Sequence, residues 1–253
     1  MRNTITDVKI VLKGIGFPEF SGTSTYIRTV GHNILVDTGS LEHREQLLMN
    51  LGKLSLKPQD IDTIILTHMH IDHFSNLSIF QNAKIYTTKA ELKSYEGVVL
   101  MKNTYNETSA MNQVFNNSNW KMFYNSGIMD DQKKKIYQSI FPLTKKQYDN
   151  MVFIDNMEKL IDTLEIIRFY GHSEDPRGIR LNYRGRSIVI CGDAVTNKRW
   201  YERVVENSIP DGDYENIVRN IAIASENTDV LIPGHGLPFE LKTNSYDKSF
   251  MLL

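Results

Sequence analysis

The stretch Thr67–His73 concentrates residues that bind metals. It holds three histidines and one aspartate, which are His68, His70, His73 and Asp72. Imidazole nitrogens and carboxylate oxygens are ligands of zinc, iron and manganese in proteins. Four such groups exceed the usual contribution of one segment to a single ion, so the stretch predicts two metals. The alternative, exposed histidines beside a capping aspartate, is disfavoured because five of the seven histidines lie in three compact motifs.

The elements on either side of this stretch must position it. The apolar run Thr63–Leu66 predicts a buried strand. Side chains alternate along a strand, so the first two histidines and Asp72 leave on one side if the chain stays extended. In Phe74–Phe80 the apolar residues are three apart, which is typical of a helix. We therefore expect the chain to turn at Asp72-His73, with the site at a strand-to-helix junction.

The same arrangement recurs elsewhere, because single histidines and aspartates directly follow other predicted strands. These residues are Asp37, His172, Asp193 and His235. Ligands at one set of strand ends share one rim of a sheet, so we expect them to lie near the first motif. Asp37 has two interpretations: a cap for a helix predicted from Leu41 to Leu51, or an acid beneath the metal ligands. His32 and His43 are interpreted as ordinary surface histidines.

Composition sets the outer bounds. The chain has 253 residues, a 41% apolar fraction and a formal charge of -1, which suits one large domain or two small ones. Near-neutral charge argues against a dedicated electrostatic nucleic-acid binder. The only cysteine is Cys191, which excludes a disulfide framework. We see no signal peptide and no apolar run approaching the ~18 residues of a membrane span, so we expect a soluble cytoplasmic protein that does not use a membrane.

Residues 95–155 differ in character from the rest, being rich in Asn, Ser, Lys, Met and aromatics. They predict two or three short helices, inserted into a single domain that spans residues 1–253. Methionine and aromatic side chains suit adaptable apolar surfaces, so the insertion is either a lid over the site, a contact in a homodimer or an ordinary helical excursion. The lysine run Lys133–Lys135 is typical of a solvated helix face.

Taken together, these residues resemble the pattern of the metallo-β-lactamase-fold hydrolase superfamily. That pattern is a strand-end Asp, then His-x-His-x-Asp-His, then Gly-His, an Asp and a final Gly-His. Its counterparts run in order from Asp37 to His235. The resemblance implies an α/β fold, an αββα four-layer sandwich of two mixed β-sheets flanked by helices, with metals at one end.

The resemblance also implies a role for each residue. The ligands of a first metal would be His68, His70 and His172. Those of a second would be Asp72, His73 and His235. Asp193 would bridge the two ions, and Asp37 would orient ligands by hydrogen bonding. The cofactors would be two divalent metal ions, zinc first with iron or manganese as alternatives, sharing a bridging hydroxide for attack on the substrate. Asp72 and Asp193 would be the catalytic carboxylates that manage its proton.

Features that the chain lacks indicate which branch of this superfamily it resembles. Asp193 stands where some antibiotic-degrading members have a cysteine, and only 18 residues follow His235, too few for a glyoxalase-II-type helical domain. The resemblance then implies a compact, lactonase-like metal-dependent hydrolase of a small ester, lactone or thioester. Asn76–Phe80 and Pro233–Phe239 are also similar to a branch whose animal member is linked to RNA 3′-end cleavage. A phosphodiesterase or ribonuclease is therefore the alternative.

Charged residues near the predicted site have competing interpretations. Lys198 and Arg199, just after Asp193, and the run Lys133–Lys135 in the insertion favour a nucleic-acid substrate. Glu174, Asp175 and Arg177 follow His172 and either contact a polar substrate or pair with each other in a structural loop. We favour the second interpretation of this loop.

Overall fold

Two six-stranded β-sheets form the framework of the protein, in a computed structural model that describes residues 4–16, 19–104, 137–208 and 214–252. The first sheet has the order β1-β2-β3-β4-β5-β6. Its strands are β1 (Ile5–Leu12), β2 (Ser24–Thr29), β3 (Asn33–Val36), β4 (Thr63–Ile65), β5 (Lys84–Thr87) and β6 (Met151–Phe153). Strands β1 to β3 are antiparallel and β3 to β6 are parallel, so the sheet is mixed.

The second sheet has the order β12-β11-β10-β9-β8-β7. Its strands are β7 (Lys159–Leu160), β8 (Leu164–Arg168), β9 (Arg177–Tyr183), β10 (Arg186–Gly192), β11 (Val230–Pro233) and β12 (Phe239–Glu240). All neighbours are antiparallel except the parallel pair β10 and β11. Arg184 and Gly185 join β9 to β10 with φ of 52° and 75°, the two positive φ values of a type I′ hairpin turn.

The α-helices with defined bounds in the described residues are α1 (Arg44–Lys53), α2 (Ile71–Phe74), α3 (Lys89–Thr104), α4 (Lys145–Asp149), α5 (Lys198–Val205) and α6 (Glu215–Ser225). In this part of the chain, no helix combines the length and the apolar character needed to cross a bilayer.

Strand alternation explains the layers. In β3, Ile34 packs between the two sheets while its neighbour Leu35 packs against α1 and α3. In β10, Ile188 belongs to the same inter-sheet core while Val189 faces α6. Each sheet thus buries one face on the other sheet and one face on helices. This is the predicted αββα four-layer sandwich of two mixed sheets.

The helix after the metal motif differs from the sequence expectation. It begins at Ile71, ahead of the predicted turn at Asp72-His73, and ends at Phe74. The amide of Asn76 donates to the main-chain oxygens of Thr38 and Ser40, both at 2.9 Å. These bonds hold the chain against the loop after β3, so a single turn of α-helix gives way to a 3₁₀ turn at Leu77–Ile79.

The predicted insertion at residues 95–155 is described in part. It begins inside α3, and α4 and β6 fall within its range, so β6 belongs to the first sheet. Residues 105–136, including Lys133–Lys135, lie outside the described residues. The short helices expected there, and their role as a lid or dimer contact, stay predictions.

The inter-sheet core predicts a strong position dependence of stability. We expect Ile34→Ala to lower the free energy of unfolding by about 2–5 kcal/mol, because it empties a fully buried site between the sheets. Val30→Ala, in the adjoining hairpin where Val30 is 60% exposed, should change it by less than about 0.5 kcal/mol. Urea unfolding measures both, and equal losses would contradict this packing.

Candidate metal centre

Apart from His172, which follows β8, the predicted site residues lie at the ends of four strands. Asp37 follows β3, the histidine-rich stretch follows β4, Asp193 follows β10 and His235 follows β11. Both strand pairs, β3 with β4 and β10 with β11, are parallel, so each pair delivers its residues to one edge. Three groups of side chains bring possible ligand atoms within 4.8 Å of one another: His68, His70 and His172; His68, His73 and Asp193; and Asp72, His73 and His235.

The first group consists of three histidines. The Nδ1 atom of His70 lies 3.1 Å from His68 Nε2 and 3.0 Å from His172 Nε2. Burial, reinforced by the neighbouring histidines, holds the pKa of His68 well below its usual value. Burial likewise lowers the pKa of His172 to about 3. These two rings are therefore neutral near pH 7, and the neutral imidazole is the form that binds a metal.

The second group mixes a carboxylate with histidines. Asp72 Oδ2 lies 3.3 Å from His73 Nε2 and 3.4 Å from His235 Nε2. Burial alone would lower the pKa of His73, but the carboxylates of Asp72, Asp37 and Asp193 outweigh it and raise the pKa well above its usual value. The pKa of His235 is raised in the same way, burial being outweighed by Asp193 and Asp72. This half of the site therefore concentrates buried negative charge that attracts cations.

Asp193 connects the two groups. Its Oδ2 atom lies 3.4 Å from His172 Nε2 and 3.2 Å from His235 Nε2, and its Oδ1 atom lies 3.4 Å from His73 Nε2. Burial would raise the pKa of Asp193, but these three histidines hold it well below the usual value. The carboxylate is therefore ionised and faces both groups at once.

Two glycines make this position of Asp193 possible. Gly192 has φ 52° and ψ -146°, a conformation that residues with a Cβ rarely adopt. A Cβ at Gly234 would lie 1.8 Å from Asp193 Oδ1, inside the carboxylate itself. The close approach of the end of β11 to the end of β10 thus requires a glycine at position 234, whereas a Cβ at Gly192 would lie 2.5 Å from Thr67 Oγ1.

Asp37 lies beneath the second group. It has φ 57°, and its carboxylate accepts bonds from the Thr67 amide at 2.8 Å and the Thr67 hydroxyl at 2.7 Å. The same carboxylate lies 2.8 Å from His73 Nδ1, which turns His73 Nε2 towards Asp72 and Asp193. Ser40, not Asp37, precedes the following 3₁₀ turn, so the geometry matches the second interpretation of Asp37 rather than helix capping.

The donor set fits divalent metals. Neither carboxylate oxygen of buried Asp72 accepts a hydrogen bond from the described part of the chain. A buried carboxylate without a partner is costly, and a bound cation would satisfy it. In the first group, nitrogen separations of 3.0–3.1 Å approach the edge of about 3.3 Å expected for a tetrahedron with Zn–N bonds of about 2.0–2.1 Å.

Sequence patterns alone missed two buried side chains that hold the site. Glu91 accepts hydrogen bonds from the amides of Met69, at 2.9 Å, and Asp175, at 2.8 Å. Asn220 bonds both main-chain groups of Tyr170, at 3.0 and 2.8 Å. Thr88 and Glu91 have capping-box spacing, which suggests a local role for Glu91 at the start of α3. Only the tertiary structure shows that its carboxylate instead joins two loops.

The remaining histidines lie elsewhere. His32 Nδ1 is 2.9 Å from Asp62 Oδ1, and His43 Nδ1 is 2.9 Å from Ser40 Oγ. Neither belongs to the ligand groups formed by the described residues. Both therefore fit their interpretation as ordinary histidines outside the site.

The charged residues near the site are largely paired. Arg177 binds Asp175 through two bonds of 2.6 and 2.8 Å, which agrees with the structural interpretation of this loop. Lys198 pairs with Glu202 and lies 5.4 Å from the centre of the Tyr246 ring. Arg199 is exposed.

Comparisons with known proteins agree with this geometry. The model of the metallo-beta-lactamase superfamily matches residues 17–98, which include Asp37 and the His68–His73 motif. The chain is 41% identical over 58 residues to the "probable metallo-hydrolase" of Methanocaldococcus jannaschii, a match covering 23% of this chain and 29% of that protein. It is 26% identical over 103 residues to the exodeoxyribonuclease WalJ of Streptococcus pneumoniae, covering 41% of this chain and 38% of WalJ. The matches thus span less than two fifths of either relative.

Solved structures share the fold over nearly the whole chain. A metallo-beta-lactamase-like protein from Thermotoga maritima superposes with a TM-score of 0.64 at 18% identity, covering 92% of this chain and 98% of that one. A quorum-quenching N-acyl homoserine lactone hydrolase superposes with a TM-score of 0.58 at 17% identity, covering 93% and 94%. Residues 17–98 are thus similar to the metallo-beta-lactamase superfamily, and the chain shares the fold of these solved structures.

Proposed function

We propose that this protein is a hydrolase that uses two divalent metal ions. The observation that carries the proposal is the position of Asp193, whose carboxylate approaches His172 of one ligand group and His73 and His235 of the other within 3.2–3.4 Å. One carboxylate between two sets of ligands is the arrangement expected where two ions act together.

Each side chain then has a defined task. His68, His70 and His172 would hold one ion, Asp72, His73 and His235 the other, and Asp193 both. When bound, the two ions would lower the pKa of a water molecule and polarise the bond to be cleaved. Asp72 Oδ1 accepts no hydrogen bond from the described residues, so it is an atom that can take the proton of the attacking water. Asp193 Oδ1, 3.4 Å from His73, is the second such atom.

Zinc is the metal we propose. Imidazole-rich sites with carboxylates suit zinc, and neutral His68 and His172 are ready to bind it without losing a proton. Iron and manganese accept the same donors, so the donor set alone ranks them as alternatives rather than excluding them.

For the substrate, we propose a small ester, lactone or thioester. The chain has a formal charge of only -1, and Arg177 beside the His172 loop is engaged with Asp175, which suits an uncharged scissile group. A fold shared with an N-acyl homoserine lactone hydrolase supports this choice at the level of architecture.

A phosphodiesterase is the alternative, favoured by different observations. The partial relative WalJ is an exodeoxyribonuclease. Exposed Arg219 lies with its guanidinium 3.5 Å from the centre of the Tyr170 ring, and Tyr170 precedes His172 by two residues. Aromatic rings and arginines are the side chains on which the bases of single-stranded nucleic acid stack.

A hydrolysis screen separates these substrates. We expect the zinc-loaded protein to cleave at least one of a lactone, a carboxylic ester and a thioester, and to leave a nitrophenyl phosphodiester and single-stranded DNA intact. The Asp193→Ala variant, assayed in parallel, controls for contaminating hydrolases. Cleavage of the phosphodiesters alone would favour the alternative, and cleavage of none of the panel by metal-loaded protein would contradict the proposal.

Metal content tests the ligand assignment directly. Elemental analysis should find two ions per wild-type chain, and Asp193→Ala should lower this number because both groups lose a shared ligand. His70→Ala should lose the ion of the first group. His32→Ala, outside the site, should retain both ions. Full turnover by a variant that holds no metal would show that the mechanism is wrong.

Asp37 should matter for metal affinity through His73. Asp37→Asn removes the anionic acceptor that orients the His73 ring, so we expect zinc to bind the second group about 10–100-fold more weakly. Thr67→Val removes only one of the donors to Asp37 and should have a smaller effect. Calorimetric zinc titration of the metal-free proteins measures both; wild-type affinity in Asp37→Asn would refute this role.

A further inference from the structure

We propose that Glu91 is a positioning residue, which fixes the loop of His68 and His70 relative to the loop of His172. The inference rests on the proposed metal site and adds to it a residue outside the ligand set. Glu91 touches no substrate in this scheme; it acts through the main chain of the two loops that deliver the first group of ligands.

The geometry of Glu91 is unusual for a residue in the first turn of a helix. Its side chain points away from solvent, and the residue is only 3% exposed. One carboxylate oxygen accepts the amide of Met69, which lies between His68 and His70, at 2.9 Å. The other accepts the amide of Asp175, three residues after His172, at 2.8 Å. A single carboxylate thus spans the two loops.

Other contacts join the same loops more weakly or at other points. The Arg177 amide donates to the Thr67 carbonyl at 2.7 Å, which ties the base of the loops together. Thr88 donates its hydroxyl to the Asp175 carbonyl at 3.4 Å. These bonds remain when Glu91 is substituted, so the loops should stay close and the fold should be retained. The parts of the loops that carry the histidines would, however, no longer be joined by one carboxylate.

The chemistry of the contact requires a carboxylate. Two amide N–H groups face its two oxygens, so both positions need acceptors. An amide side chain offers one acceptor and one donor, and its NH₂ group would face an N–H group without a bond. Glu91→Gln therefore nearly preserves volume but breaks one of the two links, and Glu91→Ala breaks both.

Burial of this carboxylate has a cost that local structure does not explain. Burial raises the pKa of Glu91, although the amides of Asp175 and Met69 oppose the shift. A glutamate at this position in a helix ordinarily reaches back to the main chain of the N-cap residue from a solvated surface. Here the carboxylate is buried and accepts hydrogen bonds from two separate loops. Both loops carry histidines of the first ligand group.

Cobalt binding tests the inference. Metal-free protein is titrated with Co²⁺ alone, and the visible absorption of bound cobalt reports each site. To separate the two groups, Glu91→Gln is measured in a His235→Ala background, which keeps the first group, and in a His172→Ala background, which keeps the second. Glu91→Gln should weaken cobalt binding about 10–100-fold in the His235→Ala background. In the His172→Ala background, it should change the cobalt affinity by less than about threefold.

Asp62→Asn is the matched control. The Asp62 carboxylate accepts the Asn33 amide at 2.8 Å and the Thr63 hydroxyl at 2.6 Å, at the opposite ends of β3 and β4. Asp62→Asn replaces one of two acceptor oxygens by a donor, as Glu91→Gln does, so it should lower the thermal stability of the metal-free protein without changing the cobalt affinity in either background.

Each outcome decides something. If the wild-type chain binds no cobalt or zinc, the proposed function fails and this inference with it. If the wild type binds two ions and Glu91→Gln binds both with unchanged affinity, only the role of Glu91 is overturned. Equal weakening in both backgrounds, with a lower unfolding temperature of the metal-free protein, would make Glu91 a general structural residue and would also overturn the inference.

Discussion

The burial of three carboxylates in one small volume is the constraint on which the rest of this structure depends. Asp37, Asp72 and Asp193 are each less than 10% exposed. Taking ionised carboxylates out of water is unfavourable unless donors or cations surround them. Asp37 has Thr67 and His73 as partners, and Asp193 has three histidines, while Asp72 has close histidines but no hydrogen-bond donor among the described residues. The site is thus incomplete as a hydrogen-bonded cluster, and a bound cation would complete it.

The arrangement of the two sheets makes this burial possible. Each sheet contributes one parallel pair of strands to the site, β3 with β4 and β10 with β11. The two pairs are held face to face by the inter-sheet core, in which Ile34 and Ile65 of one sheet pack with Ile188 and Ile190 of the other. The carboxylates therefore approach each other only because the apolar faces are buried. Packing supplies the free energy that holds buried charges in place.

Much of this could be predicted from sequence because the signals are short-range. The apolar run Thr63–Leu66 predicted β4, and the position of His172, Asp193 and His235 after predicted strands predicted that they would lie near the first motif. The end of α2 could not be predicted, because Asn76 ends it by bonding to a distant loop. Asp37 had two interpretations that differ in backbone conformation, and its φ of 57° depends on tertiary contacts. The role of Glu91 could not be predicted, because its spacing from Thr88 is explained by capping of the helix N-terminus.

The loop that carries His172 is held in place through its main chain on both sides of the histidine. Asn220 of α6 binds both main-chain groups of Tyr170 before the histidine, and Glu91 of α3 binds the Asp175 amide after it. Residues of both helices form hydrogen bonds to main-chain atoms of the loop, and such bonds do not depend on the loop's own side chains. The side chains of Asp175 and Arg177 add a second, side-chain link within the loop, whereas the exposed side chain of Glu174 lies outside these bonds. The position of His172 therefore depends mainly on main-chain bonds and on this buried pair.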